Sequence, residues 1–143
     1  MNMKKSTYMI ITFIASIAAI IGYMYLQYIY YVLPLPITKP ANLKYVRVDN
    51  YQTNEVKYVS GQEDIITVAE ILNTITTDGS TDNKEKETKY AVMITDGSKT
   101  YTFYLADGYV GCEGHWFKYS GDATQKIQAL YPSLNYEEKT LSK

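Results

Sequence analysis

Cys112-Glu113-Gly114-His115 is the one place in the sequence where two good metal-ligating side chains stand close together. A tight hairpin over Glu113-Gly114 would turn both toward one soft ion such as copper(I) or zinc. A metal centre needs more than two ligands, and the chain holds one cysteine and one histidine, so Glu113 or Met93 would have to complete the set. The same pair could form a Cys/His nucleophile, but nothing marks a third group to orient the imidazole. A buried cysteine beside a hairpin-edge histidine accounts for the pattern without either chemistry, and no cofactor is called for.

The carboxylates have structural reasons to stand where they do. Glu63-Asp64 falls at an expected helix start, where acids complement the dipole, and Asp96, Asp107 and Asp122 fall at turns or caps. Nothing places two acids across a cleft as a hydrolase requires. The aromatic content is more distinctive, with 16 tyrosines among 143 residues. Phenols on an exposed sheet face suit glycan or peptide contact, because each offers a large area at small entropic cost and a hydrogen-bonding tip. Tyr104, Trp116 and Tyr119 are the candidates for such a surface. The alternative is that tyrosine merely replaces phenylalanine in strands.

The elements that would position these residues can be read from turn chemistry. Tyr90-Ala91-Val92-Met93-Ile94-Thr95, Thr100 to Leu105, Tyr109 to Cys112 and His115 to Tyr119 are separated by Asp96-Gly97, Asp107-Gly108 and Glu113-Gly114, the composition of tight hairpins. Earlier, Leu43 to Val48 and Glu55 to Val59 read as two paired strands. Ser60-Gly61-Gln62-Glu63 has the form of a capping box, and Ile65, Val68, Ala69, Leu72 and Ile75 form the apolar stripe of a helix stopped at Asp78-Gly79. Asp122 is a second cap, followed by Ala123, Ile127, Leu130 and Tyr131 on a short helix ended by Pro132. Residues 78–88 hold no apolar side chain and predict a mobile loop. The expected class is α+β, one antiparallel sheet in the order β-β-α-β-β-β-β-α with its helices packed on one face.

From Thr7 to Thr38 no residue carries a formal charge, and the run from Met9 through Leu33 is long enough to cross a bilayer as a helix. Tyr8 stands at one end and Tyr23, Tyr25, Tyr28, Tyr30 and Tyr31 crowd the other, as expected at headgroup depth. The division predicted is a cytoplasmic tip and signal anchor over 1–33, a proline-rich stem over 34–40, a domain over 41–132 and a frayed tail over 133–143. A cleavable signal peptide with small residues at Ser16-Ile17-Ala18 is the rival reading. Lys4 and Lys5 precede the apolar run, whereas Lys39, Lys44 and Arg47 follow it, so the charge bias is slight. Long C-terminal domains translocate largely regardless of charge, which favours an N-inside, single-pass protein of the cell membrane with its domain extracytoplasmic. Every acidic residue follows the apolar run, and Arg47 is the one arginine. Such a surface argues against nucleic acid as a partner.

The capped helix, Tyr90-x-Val92-x-Ile94-x-Asp96-Gly97, Thr102-Phe103-Tyr104-Leu105, Gly108-x-Val110 and the closing amphipathic helix resemble the YhfM-like small extracytoplasmic domains of Gram-positive bacteria, over residues 60–131. Many of those are lipoproteins, whereas this chain has a helix in place of a lipidated cysteine. The resemblance implies location and fold more than activity. The expected role is a non-enzymatic module recognising a partner protein or envelope component such as cell wall. The rivals are a metal-handling protein or hydrolase using Cys112 and His115, and a structural subunit of a membrane complex.

Overall fold

A computed structural model describes residues 4–29, 31–82 and 84–142, and the chain divides after Val32 into two compact units. The first is α1 (Lys5–Ile29), a helix with no charge between Lys5 and its end. Over Lys5–Gln27 its mean hydropathy is 2.1 and none of it is buried within the protein. Phe13 is 68% exposed, and Met9, Ile14, Ile20 and Ile21 are likewise uncovered. At 1.5 Å per residue such a helix reaches about 37 Å, enough for a hydrocarbon core of about 30 Å. Its hydroxyls turn inward: Thr12 Oγ1 donates to the Tyr8 carbonyl at 2.9 Å and Ser16 Oγ to that of Thr12 at 2.8 Å. In hydrocarbon such groups have no water to bond. In the expected tyrosine belt, the side chain of Tyr28 and all of Tyr30 lie outside the described residues.

The second unit is an α+β domain. Its elements are β1 (Tyr45–Asn50), β2 (Glu55–Val59), α2 (Gln62–Asn73), β3 (Thr76–Thr81), β4 (Tyr90–Thr95), β5 (Thr100–Ala106), β6 (Tyr109–Cys112), β7 (His115–Ser120), α3 (Ala123–Leu130) and β8 (Glu138–Thr140). They make one eight-stranded sheet in the order β3-β7-β6-β5-β4-β1-β2-β8, with every pairing antiparallel. Two strands go beyond the order expected from sequence. Thr76–Thr81 is polar throughout and pairs with β7 through an irregular register between Thr77 and Thr81. Glu138–Thr140, expected as frayed tail, pairs with β2 and is exposed. Both are edge strands held by backbone bonds, so neither needs the alternating apolar pattern by which strands are recognised.

The register sorts the side chains. Val48, Val92, Phe103, Leu105, Val110 and Phe117 share one face and are buried. Against this face pack α2, through Ile65, Val68, Ala69 and Leu72, and α3, through Ala123, Thr124 and Ile127. The helices touch each other, α2 also reaching β1 and α3 reaching β4 and β5. Helix α2 carries the chain from near one sheet edge to the other, since β2 and β3 lie at opposite ends.

Neither expected side-chain cap forms. Helix α2 opens at Gly61 without a side-chain cap; instead the Gly61 amide donates to the Tyr136 hydroxyl at 2.9 Å, which donates in turn to Asp64 Oδ2 at 2.8 Å. At α3, Asp122 holds the cap position, but the Thr124 amide donates to the Tyr119 hydroxyl at 3.2 Å. Thr124 Oγ1 then donates to the Ala106 carbonyl at 3.0 Å, tying helix to sheet. Tyrosines outside the helices supply the caps instead: Tyr136, seventy-five residues on, serves the Gly61 amide at the start of α2, and Tyr119, five residues back, serves the second amide of α3. Ile75, expected on the helix, follows its end but is still buried.

The segments flanking the domain are also integrated. Leu33 is buried, and the Asn73 side chain brackets Ile37, accepting from its amide at 2.6 Å and donating to its carbonyl at 3.1 Å. Residues 34–40, the expected proline-rich stem, fall within the second compact unit. At the other end Lys57, on the helix-bearing face of β2, is 4% exposed. Its Nζ donates to the carbonyls of Tyr131 and Leu134, both at 2.8 Å, lies 4.6 Å from the Tyr131 ring centre and faces Glu138 at 3.5 Å.

Replacing Lys57 with methionine keeps the volume and removes two charge-assisted hydrogen bonds, each carbonyl keeping one backbone donor (Leu134 N–H on Tyr131, Tyr136 N–H on Leu134), which costs about 3 kcal/mol. The melting temperature should fall by about 15 °C, and proteolysis should begin in residues 131–142. The Tyr131 hydroxyl is buried without a partner, so Tyr131→Phe should leave stability unchanged or raise it by up to about 1 kcal/mol. Burial, helped by Glu138 and Glu55, pushes the Tyr131 phenol up to about 12. The unfolded chain then loses this proton first. Stability is intact below about pH 10 and falls between about pH 10 and 12, at up to about 1.4 kcal/mol per unit. Alkaline denaturation of Tyr131→Phe should be correspondingly shallower.

Candidate functional site

The face of the sheet opposite the helices carries Tyr45, Arg47, Asp49, Tyr58, Met93, Thr102, Tyr104, Tyr109, Gly111, Trp116 and Lys118, by the same register. One row across it reads Asp49, Ala91, Tyr104, Gly111, Trp116. Gly111 is what allows the large rings to settle. A Cβ there would come within 3.0 Å of three Trp116 ring atoms, Cδ2, Cε2 and Cε3, so the indole lies across the glycine with its residue only 9% exposed. The Tyr104 ring stands beside it, centres 6.5 Å apart and planes at 45°.

Topology supplies a wall. The chain must travel from β3, at one edge, to β4, four strand spacings inward, a separation of about 19 Å. The helices occupy the other face, and residues 84–89 cross the open one. This segment, expected as a mobile loop, carries several anchors. Lys86 Nζ bonds Asp82 at 2.6 Å and sits 4.3 Å from the Tyr109 ring centre. Lys89 Nζ meets Asp107 at 2.8 Å. The pairing with Lys86, with help from the Lys84 amide, holds the Asp82 carboxyl below its ordinary range, and the same bond raises the Lys86 ammonium.

Between this segment and the sheet lies a cleft of about 660 Å³, bounded by Tyr51, Glu85, Lys86, Glu87, Thr88, Tyr104, Trp116 and the hairpin 111–115. Tyr51, in the β1–β2 turn, is 46% exposed. Burial first, then Asp49 and Tyr104, raise its phenol above the usual value. Asp49 itself accepts a two-pronged bond from Arg47, at 2.6 and 2.9 Å. The cleft therefore combines flat aromatic surface, phenol hydroxyls and carboxylates, a set suited to holding a ligand by contact and hydrogen bonding.

The residues singled out from sequence divide between the two faces. Tyr104 and Trp116 come together in the cleft. Tyr119 does not join them: it stands two positions after Phe117 on β7 and so shares the buried face, it is 6% exposed, and its hydroxyl lies 2.6 Å from Thr124 Oγ1. It is a core residue and a helix cap. Cys112 and His115 are register partners across the Glu113-Gly114 turn, whose positive φ values of 49° and 80° close the hairpin. Both are buried. Met93, considered as a further ligand, points to the open face, because it alternates with buried Val92 and Ile94, while Cys112 shares the face of Val110. Glu113 is exposed at the turn. Among the described residues no group of three or more His, Cys, Asp and Glu side chains could hold a metal.

Tyr51 and residues 85–88 were not among the site residues expected from the sequence. Gly111 was the available signal, since glycine inside a strand marks close approach of another group. Comparison of the chain with protein-family models, with curated proteins and with solved structures gave no match.

Gly111→Ala should push the indole off the strand. The chain has one tryptophan, so the emission maximum should move to longer wavelength, with about 1 kcal/mol lost in urea denaturation.

Proposed function

We propose that this protein is a non-enzymatic recognition module, tethered to the cell membrane by α1 with its domain extracytoplasmic, and that the cleft beneath residues 85–88 binds a partner protein or envelope component. The observation that carries this reading is the cleft itself, where Tyr51, Tyr104 and Trp116 converge on open space. Convergent aromatic side chains are the commonest energetic centres of recognition surfaces. Tethering is supported by α1, whose apolar side chains find no cover in the protein. The N-inside orientation draws on Lys4 and Lys5 standing next to the apolar run. A relation to the YhfM-like extracytoplasmic domains belongs to the same proposal and is compatible with the α+β class.

Protease added to intact cells should digest the domain and leave a membrane-protected fragment containing α1; complete protection of the domain would overturn the orientation. A photo-crosslinking residue at position 104 should capture an envelope partner in cells. Capture from position 17 in α1 with none from position 104 would instead identify a structural subunit of a membrane complex.

A further inference from the structure

From the charges and rings around this cleft we infer that its ligand is a basic side chain, lysine or arginine, presented by an extended segment of a partner protein. This deepens the recognition reading and rests on it. The open face already uses one mode of contact repeatedly. Arg47 lies 5.9 Å and Lys139 5.6 Å from the Tyr58 ring centre, and Lys86 lies 4.3 Å from that of Tyr109. Cations are drawn to the negative faces of aromatic rings, most strongly to tryptophan. Among the described residues Tyr51, Tyr104 and Trp116 receive no such cation from this chain, and they are the three rings that line the cleft.

Charge points the same way. Three positive groups around it are committed, Arg47 to Asp49 at 2.6 Å, Lys86 to Asp82 at 2.6 Å and Lys89 to Asp107 at 2.8 Å, while Lys84 is exposed on the same segment but does not line the cleft. Glu85 and Glu87 line the cleft, are exposed, and enter no ion pair among the described residues. The cleft lining thus holds two carboxylates outside any ion pair against one lysine, Lys86, that is already paired with Asp82, a balance that favours cations over anions. A volume of about 660 Å³ exceeds what one isolated ammonium group fills and fits several adjoining residues of an extended chain.

Trp116 reports occupancy directly in the full-length protein, purified in detergent, by its fluorescence. A nine-residue peptide alternating alanine and lysine should give a saturable change, and its ε-acetylated counterpart, equal in length and apolar surface, should bind at least about fivefold more weakly. Glu85→Gln/Glu87→Gln should weaken the lysine peptide by about fivefold, and Tyr104→Ala should weaken it at least as much. Tyr104→Phe keeps the ring and should retain binding. Equal binding of lysine and acetyl-lysine peptides, no saturable change with either, or choline binding as tightly as the lysine peptide would each overturn the inference. Capture of a neutral or acidic partner from position 104 would overturn it too, while leaving the recognition reading standing.

Discussion

A buried ammonium organises the C-terminal third of this domain. Lys57 occupies a position on β2 where the register demands an apolar residue, yet its Nζ is spent on two carbonyls, a ring face and a carboxylate, all from residues 131–138. Burying a charge is costly unless it is paired and hydrogen-bonded. The 3₁₀ turn over Tyr131–Ser133 supplies those partners in one place, so the turn after α3 and the burial of Lys57 stand or fall together. Fixing that turn brings Glu138–Thr140 alongside β2 and delivers Tyr136 to the start of α2.

The same economy runs through the helix caps. Tyr119 and Tyr136 reach from a strand and from the C-terminal segment to satisfy the first amides of α3 and α2. A cap supplied from elsewhere in the fold couples helix formation to tertiary assembly, whereas a serine or aspartate cap acts locally. Helix α2 in particular depends on a contact made only when the C-terminal segment is in place. The buried face consequently uses tyrosine as a structural residue, and the open face uses it as surface.

The meander and both helices were legible because their signals are local: Asp-Gly and Glu-Gly turns, and apolar side chains at helical spacing. The boundaries of β4 and β6 follow the sequence reading, and α3 begins just after Asp122 as expected. What escaped depends on partners far away in the chain. Thr76–Thr81 becomes a strand because β7 offers an unpaired edge, and no pattern in Thr-Thr-Asp-Gly-Ser-Thr announces that. Nothing in the strand pattern of Glu55 to Val59 marks Lys57 as buried, since its carbonyl partners lie more than seventy residues on. For the cleft, Tyr104 and Trp116 were visible as ring-bearing strand positions. Tyr119 was misplaced because a phenol looks the same in sequence on either side of a sheet.

The passage of residues 84–89 over the open face has an evolutionary and engineering consequence. This crossing bears no part of the apolar core, so its length and composition can change while the layers beneath are preserved. A shortened crossing would draw tight across Trp116 and close the space; a longer one would bow outward and deepen it. Related chains built on this plan would thus diversify what they hold by editing one strap of polar residues, much as immune receptors vary loops on a constant scaffold.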